Sequence, residues 1–399
     1  MASCDFCKAC SIKRLKSCVC GKVSYCGEEC QTSDWKTHKV SCPPYTIKDV
    51  PGKGRAVVAT RKIKPGQIIM EELPLLSGHG NVPTLVLVRD IERQLAAMDP
   101  EIRAKLLDQS DPLDEIPALD LEAENEDGGG LKASNPRLNP WRQVANEEVR
   151  KVLRIFFANA SQMCKEPEVG DVNVGCLYLT ISFINHSCNP NVIRTWVKGD
   201  IKRKQVRAVK NIEKGEEILV SKKGGPQFNF GSRDYRRQVL LEEFAFICKC
   251  PECSLEGQDY EENEHLRSDI REKQFELYFL LGTLSDGRSC HLDPQPDINL
   301  KLQVDMLEEL TELIKRLDLQ TEIARHLIMY CVAALEARDR GVEARDRGGV
   351  EARDRGVEAC PDPEPIRQEA LVLSRRLGDE MLRTFSHLDS CRNCLHFGY

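Results

Sequence analysis

Hydrophobic positions change their rhythm along the chain. From about residue 45 to 255, short β-branched runs alternate with glycine turns; Arg55-Ala56-Val57-Val58-Ala59-Thr60 and Glu217-Ile218-Leu219-Val220 read as strands. Within that span, residues 84–165 read as helical, broken by the polar stretch Glu124-Asn125-Glu126-Asp127-Gly128-Gly129-Gly130, which reads as a loop. Ser232-x3-Arg236-Arg237-x2-Leu240 also reads as a helix. From Glu261 onward helix follows helix. Leu302, Val304, Leu307, Leu310, Leu313, Ile314 and Leu317 fall largely on one stripe, a packing face. Residues 1–43 have neither period; they are cysteine-rich and stop at Cys42-Pro43-Pro44. After Cys30, the helical spacing of Gln31, Trp35 and His38 lets His38 and Cys42 project from one short helix.

Composition narrows the picture. At 399 residues the chain exceeds one hydrophobic core, so two or three domains are expected. No apolar run approaches the ~20 residues of a membrane span, and Met1-Ala2-Ser3-Cys4-Asp5 does not read as a secretory signal. A net charge of −6 argues against broad, sequence-independent binding to duplex nucleic acid. The copies of Glu-Ala-Arg-Asp-Arg-Gly starting at Glu336, Glu343 and Glu351, with a fragment at Glu358, balance acids with arginines and offer little to bury; they read as a low-complexity insertion over 336–359. Lys202-Arg203-Lys204 reads as a nuclear signal or as an exposed hairpin turn between two strands.

Of the 19 cysteines, eight fall by Cys42 and three lie between Cys248 and Cys253. Dense, short-spaced thiols point to metal ligands in a reducing compartment, hence cytoplasm and nucleus. The amino-terminal pattern is Cys4-x2-Cys7, Cys18-x-Cys20, Cys26-x3-Cys30, His38-x3-Cys42. Zinc takes four thiolate or imidazole ligands tetrahedrally, so eight ligands suit two ions. Cys10 makes a rival pair with Cys7, leaving Cys4 or Cys10 as the first ligand. The run Tyr25-Cys26-Gly27-Glu28-Glu29-Cys30-Gln31-Thr32-Ser33-Asp34-Trp35-Lys36-Thr37-His38 resembles the MYND finger. The resemblance implies interleaved sites, Cys4, Cys7, Cys26 and Cys30 holding one zinc and Cys18, Cys20, His38 and Cys42 the other, with a groove for proline-containing peptides. The finger lacks the paired-histidine spacing of a groove-reading finger, so no sequence-specific DNA binding is expected.

Three further segments together resemble a SET domain. They are Gly52-Lys53-Gly54-Arg55 and its continuation to Gly66, Ile181-Ser182-Phe183-Ile184-Asn185-His186-Ser187-Cys188-Asn189-Pro190-Asn191, and Phe244-Ala245-Phe246-Ile247-Cys248-Lys249-Cys250-Pro251-Glu252-Cys253. Cys-x-Cys-x2-Cys supplies three zinc ligands and lacks a fourth, for which Cys188 is the candidate. The chain is thus similar to the SET-and-MYND protein-lysine methyltransferases. By that resemblance S-adenosylmethionine would be held by Lys53, Gly54, Arg55, Asn159, Asn185, His186 and Phe246. The third zinc would sit on Cys188, Cys248, Cys250 and Cys253, and Phe244 would line a lysine channel. The substrate would be a lysine of a histone or non-histone protein, with no membrane partner.

One position departs from the family. A channel tyrosine follows the strand ending Gly-Glu-Glu-Ile-x-x-Ser in relatives, but here Gly215-Glu216-Glu217-Ile218-Leu219-Val220-Ser221 leads to Lys222. An ammonium there repels a sulfonium and a charged substrate lysine, while it can lower the incoming amine's pKa. Phe244 also lacks a hydroxyl, the helix reading sets Tyr235 off the site, and Tyr178 is the candidate hydroxyl donor. The functional expectation is therefore a methyltransferase, with a non-catalytic adaptor as the alternative. Cys391-x2-Cys394 between His387 and His396 is read as incidental rather than as a fourth metal site.

The expected fold is α+β. A MYND finger (1–43) precedes a mostly-β SET domain (44–240) with a helical insert (about 84–165). A post-SET zinc segment (241–257) and an all-α, TPR-like carboxyl-terminal domain (258–399) follow.

Overall fold

The structure, a computed structural model, describes residues 3–8, 15–18, 23–51, 53–79, 84–109, 144–162, 174–197, 200–244, 246–280, 300–320, 322–323, 326–327, 330 and 363–377. Cys10, Cys20, Gly52, the polar 124–130 stretch, the 336–359 insertion and the Cys391–Cys394 pair lie outside the described residues.

The finger is a short hairpin, β1 (Lys16–Ser17) on β2 (Ser24–Tyr25), followed by α1 (Glu28–Ser41). Helix α1 is longer than the sequence pattern suggested. It starts before Cys30 and runs through His38, leaving Cys42 just past its end with its N–H on the His38 carbonyl.

Next, β3 (Tyr45–Val50) pairs antiparallel with β4 (Gly54–Ala59), from Tyr45↔Ala59 to Val50↔Gly54. Gly54 has φ +69, a left-handed turn position at which a Cβ is strained. A three-stranded sheet runs in the order β10-β11-β5, from β5 (Ile68–Glu72), β10 (Val192–Val197) and β11 (Asp200–Ala208). Another has the order β6-β8-β7, from β6 (Leu76–His79), β7 (Ser161–Gln162) and β8 (Val174–Leu177). The short strands β9 (Asn185–His186) and β12 (Leu219–Val220) pair in parallel. Val57, Ile63, Val206, Ala208, Ile212 and Ile218 are fully buried in one core, and β4 is covered on both faces, with Ala56 to Ala59 all buried.

The helical insert comprises α2 (Thr84–Ala96), α3 (Pro100–Leu107) and α4 (Glu147–Asn159). Asp99 and Asn146 cap α3 and α4 with side-chain oxygens that accept first-turn N–H groups. Leu87 of α2 and Phe156 of α4 pack closely on β6 and β8: a Cβ on Gly78 would lie 2.4 Å from Leu87 Cδ1, and one on Gly175 3.2 Å from Phe156 Cζ. The helical reading of 84–165 overruns at its end. Ala160 is extended, and Ser161 and Gln162 pair with Cys176 and Gly175, so a long-range ladder overrides local preference.

Beyond the strands come α5 (Pro226–Asn229), α6 (Arg233–Phe244), α7 (Gly257–Leu280), α8 (Leu300–Arg316) and α9 (Pro363–Leu377). Val304, Leu307, Leu310 and Ile314 of α8 are fully buried with Ile270 and Leu277 of α7 and Ala370 of α9. Leu302 leaves the expected stripe and is 45% exposed, because two residues before Val304 is the opposite side of a helix. Lys202-Arg203-Lys204 is corrected as well: the hairpin closes at Val197↔Asp200, so all three lie within β11, and Lys204 is buried with its ammonium 5.5 Å from the Tyr178 ring. Among the described residues no helix is long and apolar enough to cross a membrane.

Candidate functional site

Among the described residues three groups of metal-type ligands converge. In the finger, Cys4, Cys7, Cys26 and Cys30 bring their sulfurs within 4.8 Å of one another. Cys26 lies 3.7 Å from Cys7 and 3.5 Å from Cys30. Cys4 thus joins Cys7 in this group. Although burial raises the Cys4 thiol, backbone N–H donors from Cys7, Cys26 and Phe6 bring it down to about 6, which favours the thiolate. Cys18, His38 and Cys42 form the second group, with His38 Nε2 3.3 Å and Cys42 Sγ 3.8 Å from Cys18 Sγ.

The third group is Cys188, Cys248, Cys250 and Cys253, all buried and likewise within 4.8 Å. A Zn–S bond of ~2.3 Å in a tetrahedron sets neighbouring sulfurs ~3.8 Å apart, and Cys188 and Cys253 are 3.6 Å apart. Helix α6 supports this group. The fully buried Arg236 brings Nη2 to 3.9 Å from Cys253 Sγ. Arg237 donates to the Cys248 carbonyl at 3.2 Å and the Cys253 carbonyl at 2.9 Å. Segments far apart in sequence are thereby joined, and the loop carrying Asn185 and His186 lies against the arm carrying Phe246.

Around that junction the expected site residues divide. His186 packs 5.8 Å from Phe246 and 6.0 Å from Phe228. Its Nδ1 accepts the backbone N–H of Lys222 at 3.0 Å, so neutral His186 carries its proton on Nε2, which faces Cys188 Sγ at 3.4 Å. Burial pushes its pKa down to about 3, against the opposing field of Cys250. Lys222 is half-buried; its ammonium donates to the Ala158 carbonyl at 3.3 Å and Asn159 Oδ1 at 3.1 Å, 5.7 Å from the Phe244 ring. Burial, then the charge of Arg194, lowers Lys222 to about 8.

Lys53, Arg55 and Asn185 gather at the other end of β12. Asn185 Nδ2 donates to the Arg55 carbonyl at 3.3 Å and Glu217 Oε1 at 2.9 Å, and Lys53 meets Glu217 Oε2 at 2.7 Å. Arg55 pairs with Asp108 at 2.8 Å and lies 4.6 Å over the Phe183 ring. Tyr178 belongs elsewhere. It is 1% exposed in the strand core, where burial first and Cys176 next push its hydroxyl above the ordinary range. Tyr235 is exposed on α6, as the helix reading required.

The sequence reading missed Arg194 and Glu217. Arg194 donates to the Ser221 carbonyl at 3.2 Å, and burial lowers its pKa to about 10. Its signal was a lone cation in the apolar run Val192-Ile193-Arg194-Thr195-Trp196. Glu217 lay within the Gly215–Ser221 motif, but its partners Lys53 and Asn185 are remote in sequence and meet it only in the fold.

Comparison with known proteins agrees with this architecture. The SET domain family profile matches residues 54–221 and the MYND finger profile residues 4–42. A MYND finger and a SET domain thus lie together in this chain, which is similar to SET-and-MYND lysine methyltransferases. N-lysine methyltransferase SMYD2 of Sus scrofa is 25% identical over 64% of this chain and 51% of its own length. Histone-lysine N-methyltransferase ASHR1 of Arabidopsis thaliana is 27% identical over 65% of this chain and 48% of its own. Histone-lysine N-methyltransferase set5 of Schizosaccharomyces pombe is 28% identical over 59% and 56%. The chain spans about half the length of the curated relatives it matches. A crystal structure of the SET domain of LSMT bound to lysine and AdoHcy is 12% identical, covering 90% of this chain and 92% of that one at a TM-score of 0.29, too low to carry a structural argument.

Proposed function

We propose that the chain is an S-adenosylmethionine-dependent protein-lysine N-methyltransferase acting on a histone or non-histone protein. One observation carries this reading: Cys188, two residues past His186, meets Cys248, Cys250 and Cys253, and so brings Phe246 against His186. The cofactor supplies the methyl group as a sulfonium. Toward it the chain offers Asn159, Asn185, His186 and Phe246, with Lys53, Gly54 and Arg55 at the start of β4. Gly54 allows close backbone approach. Phe244 and Phe246 help exclude water from the junction, which strengthens charge interactions there. His186, whose Nδ1 accepts the Lys222 backbone N–H and whose Nε2 faces Cys188 Sγ, serves as a positioning group.

The thiol groups suit structural zinc, and three ions would fill them, with Cys20 completing the Cys18, His38 and Cys42 set. Closed four-ligand sites hold structure and leave no open position. The same reading includes proline-containing peptides at the finger, an all-helical carboxyl-terminal domain of stacked helix pairs, the domain limits given above, and residence in cytoplasm and nucleus.

A second reading, a non-catalytic adaptor, is favoured by the Lys222 ammonium at the Phe244 ring. The two separate on incubation of the zinc-loaded chain with methyl-labelled S-adenosylmethionine, core histones and a cell extract. Labelled lysine identified by mass spectrometry supports the enzyme; no labelled lysine in any protein, under conditions where the cofactor binds, supports the adaptor.

A further inference from the structure

Two oxygens and one aromatic face close on a single cation at the end of α4. Lys222 Nζ donates to the Ala158 carbonyl at 3.3 Å and Asn159 Oδ1 at 3.1 Å, and the Phe244 ring centroid lies 5.7 Å away. The Ala158 carbonyl belongs to the last turn of α4, where the negative end of the helix dipole favours a cation. An aromatic face adds to that attraction. Among the described residues Lys222 has no carboxylate partner, and the nearby charge is the like charge of Arg194. Neutral acceptors therefore hold this cation, and they come from two elements, α4 and the last residue of α6, that do not adjoin Lys222 in sequence.

Such a cage is built for one positive charge. We infer that the Ala158 carbonyl, Asn159 Oδ1 and the Phe244 face form a cation subsite of the cofactor pocket, filled by the chain's own Lys222, so that the pocket takes the neutral thioether S-adenosylhomocysteine ahead of the sulfonium S-adenosylmethionine. This rests on the cofactor reading proposed above. A sulfonium ligand must displace Lys222 from two hydrogen bonds or sit beside it against like-charge repulsion. The thioether meets no such charge. Lys222 is then a specificity-determining residue, and the thioether product of methyl transfer acts as the pocket's preferred occupant and its brake.

The test is calorimetric titration of the full zinc-loaded chain with each nucleoside near neutral pH, for the parent, Lys222→Arg and Lys222→Met. Lys222→Arg keeps the charge and Lys222→Met keeps the length without it. The inference expects S-adenosylhomocysteine to bind at least about tenfold tighter than S-adenosylmethionine in the parent and in Lys222→Arg, and a ratio near one in Lys222→Met. Equal affinities in the parent overturn it, whatever the variants do. A preference that persists in Lys222→Met also overturns it, since the charge is then not the cause. Failure of both nucleosides to bind the parent and both variants removes the cofactor reading itself, and this inference with it.

Discussion

The two four-cysteine groups use the same donors in opposite surroundings. In the finger's four-cysteine group, Cys7 and Cys26 are exposed, Cys30 is half-buried and Cys4 is buried. The group at Cys188 is buried throughout, among Phe228, Leu240 and Phe244, with the Arg236 guanidinium beside Cys253. Water can screen thiolate charge in the first; in the second that work falls to the metal and to Arg236, because burying uncompensated charge is costly. The first group fastens a finger to itself. The second fastens the His186 loop to the Phe246 arm, so its loss reaches the proposed pocket.

Breaking one ligand in each group should expose that difference most strongly. Cys188→Ser should lose about one zinc, cost about 3 kcal/mol or more of stability and abolish binding of S-adenosylhomocysteine. Cys26→Ser should also lose about one zinc yet leave that binding within about twofold of the parent. Zinc content by atomic emission together with calorimetry reads both, and equal effects on binding would erase the contrast.

A smaller effect is expected from Arg236→Met, which keeps bulk and removes the charge beside Cys253. Loss of such a supporting group should weaken zinc in the buried group by about 10–100-fold, read by chelator competition, with the finger zinc unaffected.

Lys222 gives a pH signature. Burial, then Arg194, holds it at about 8 in the folded chain, below the ~10.4 of an unfolded lysine. Between those values the unfolded chain binds more protons, so Lys222's contribution makes stability rise with pH. The penalty is full below about 8 and relieved above ~10.4. Arg194 and His186 are the titratable or charged groups coupled to it. Urea unfolding at pH ~7, ~9 and ~10 should show the rise in the parent and a flatter curve in Lys222→Met.

The smallest change is at the surface. Lys53→Ala removes the pair with Glu217, in which the lysine side chain is 52% exposed, and should cost under ~1 kcal/mol while slightly weakening nucleoside binding.

These contrasts also mark what the sequence could and could not reveal. Ligand spacing within Cys26-x3-Cys30 and Cys248-x-Cys250-x2-Cys253 is local chemistry, and the missing fourth ligand of the latter pointed to Cys188. Periodicity found the buried side of α8 for the same reason: one helix turn settles it. The misses are long-range. Ser161 and Gln162 became a strand only because Cys176 and Gly175 offered a ladder. Lys204 is buried beside Tyr178 by the β10–β11 register, which the tribasic run did not advertise. Lys222 was legible as a departure from its family, but its grip on Ala158 and Asn159 depends on α4, remote in sequence.

The central claim, that the buried cysteine group holds a nucleoside pocket in shape, is tested most directly by calorimetric titration of the zinc-loaded chain with S-adenosylhomocysteine beside Cys188→Ser. The account predicts binding by the parent and none by the variant. Binding by the variant at the parent's affinity, or none by the parent, would contradict it.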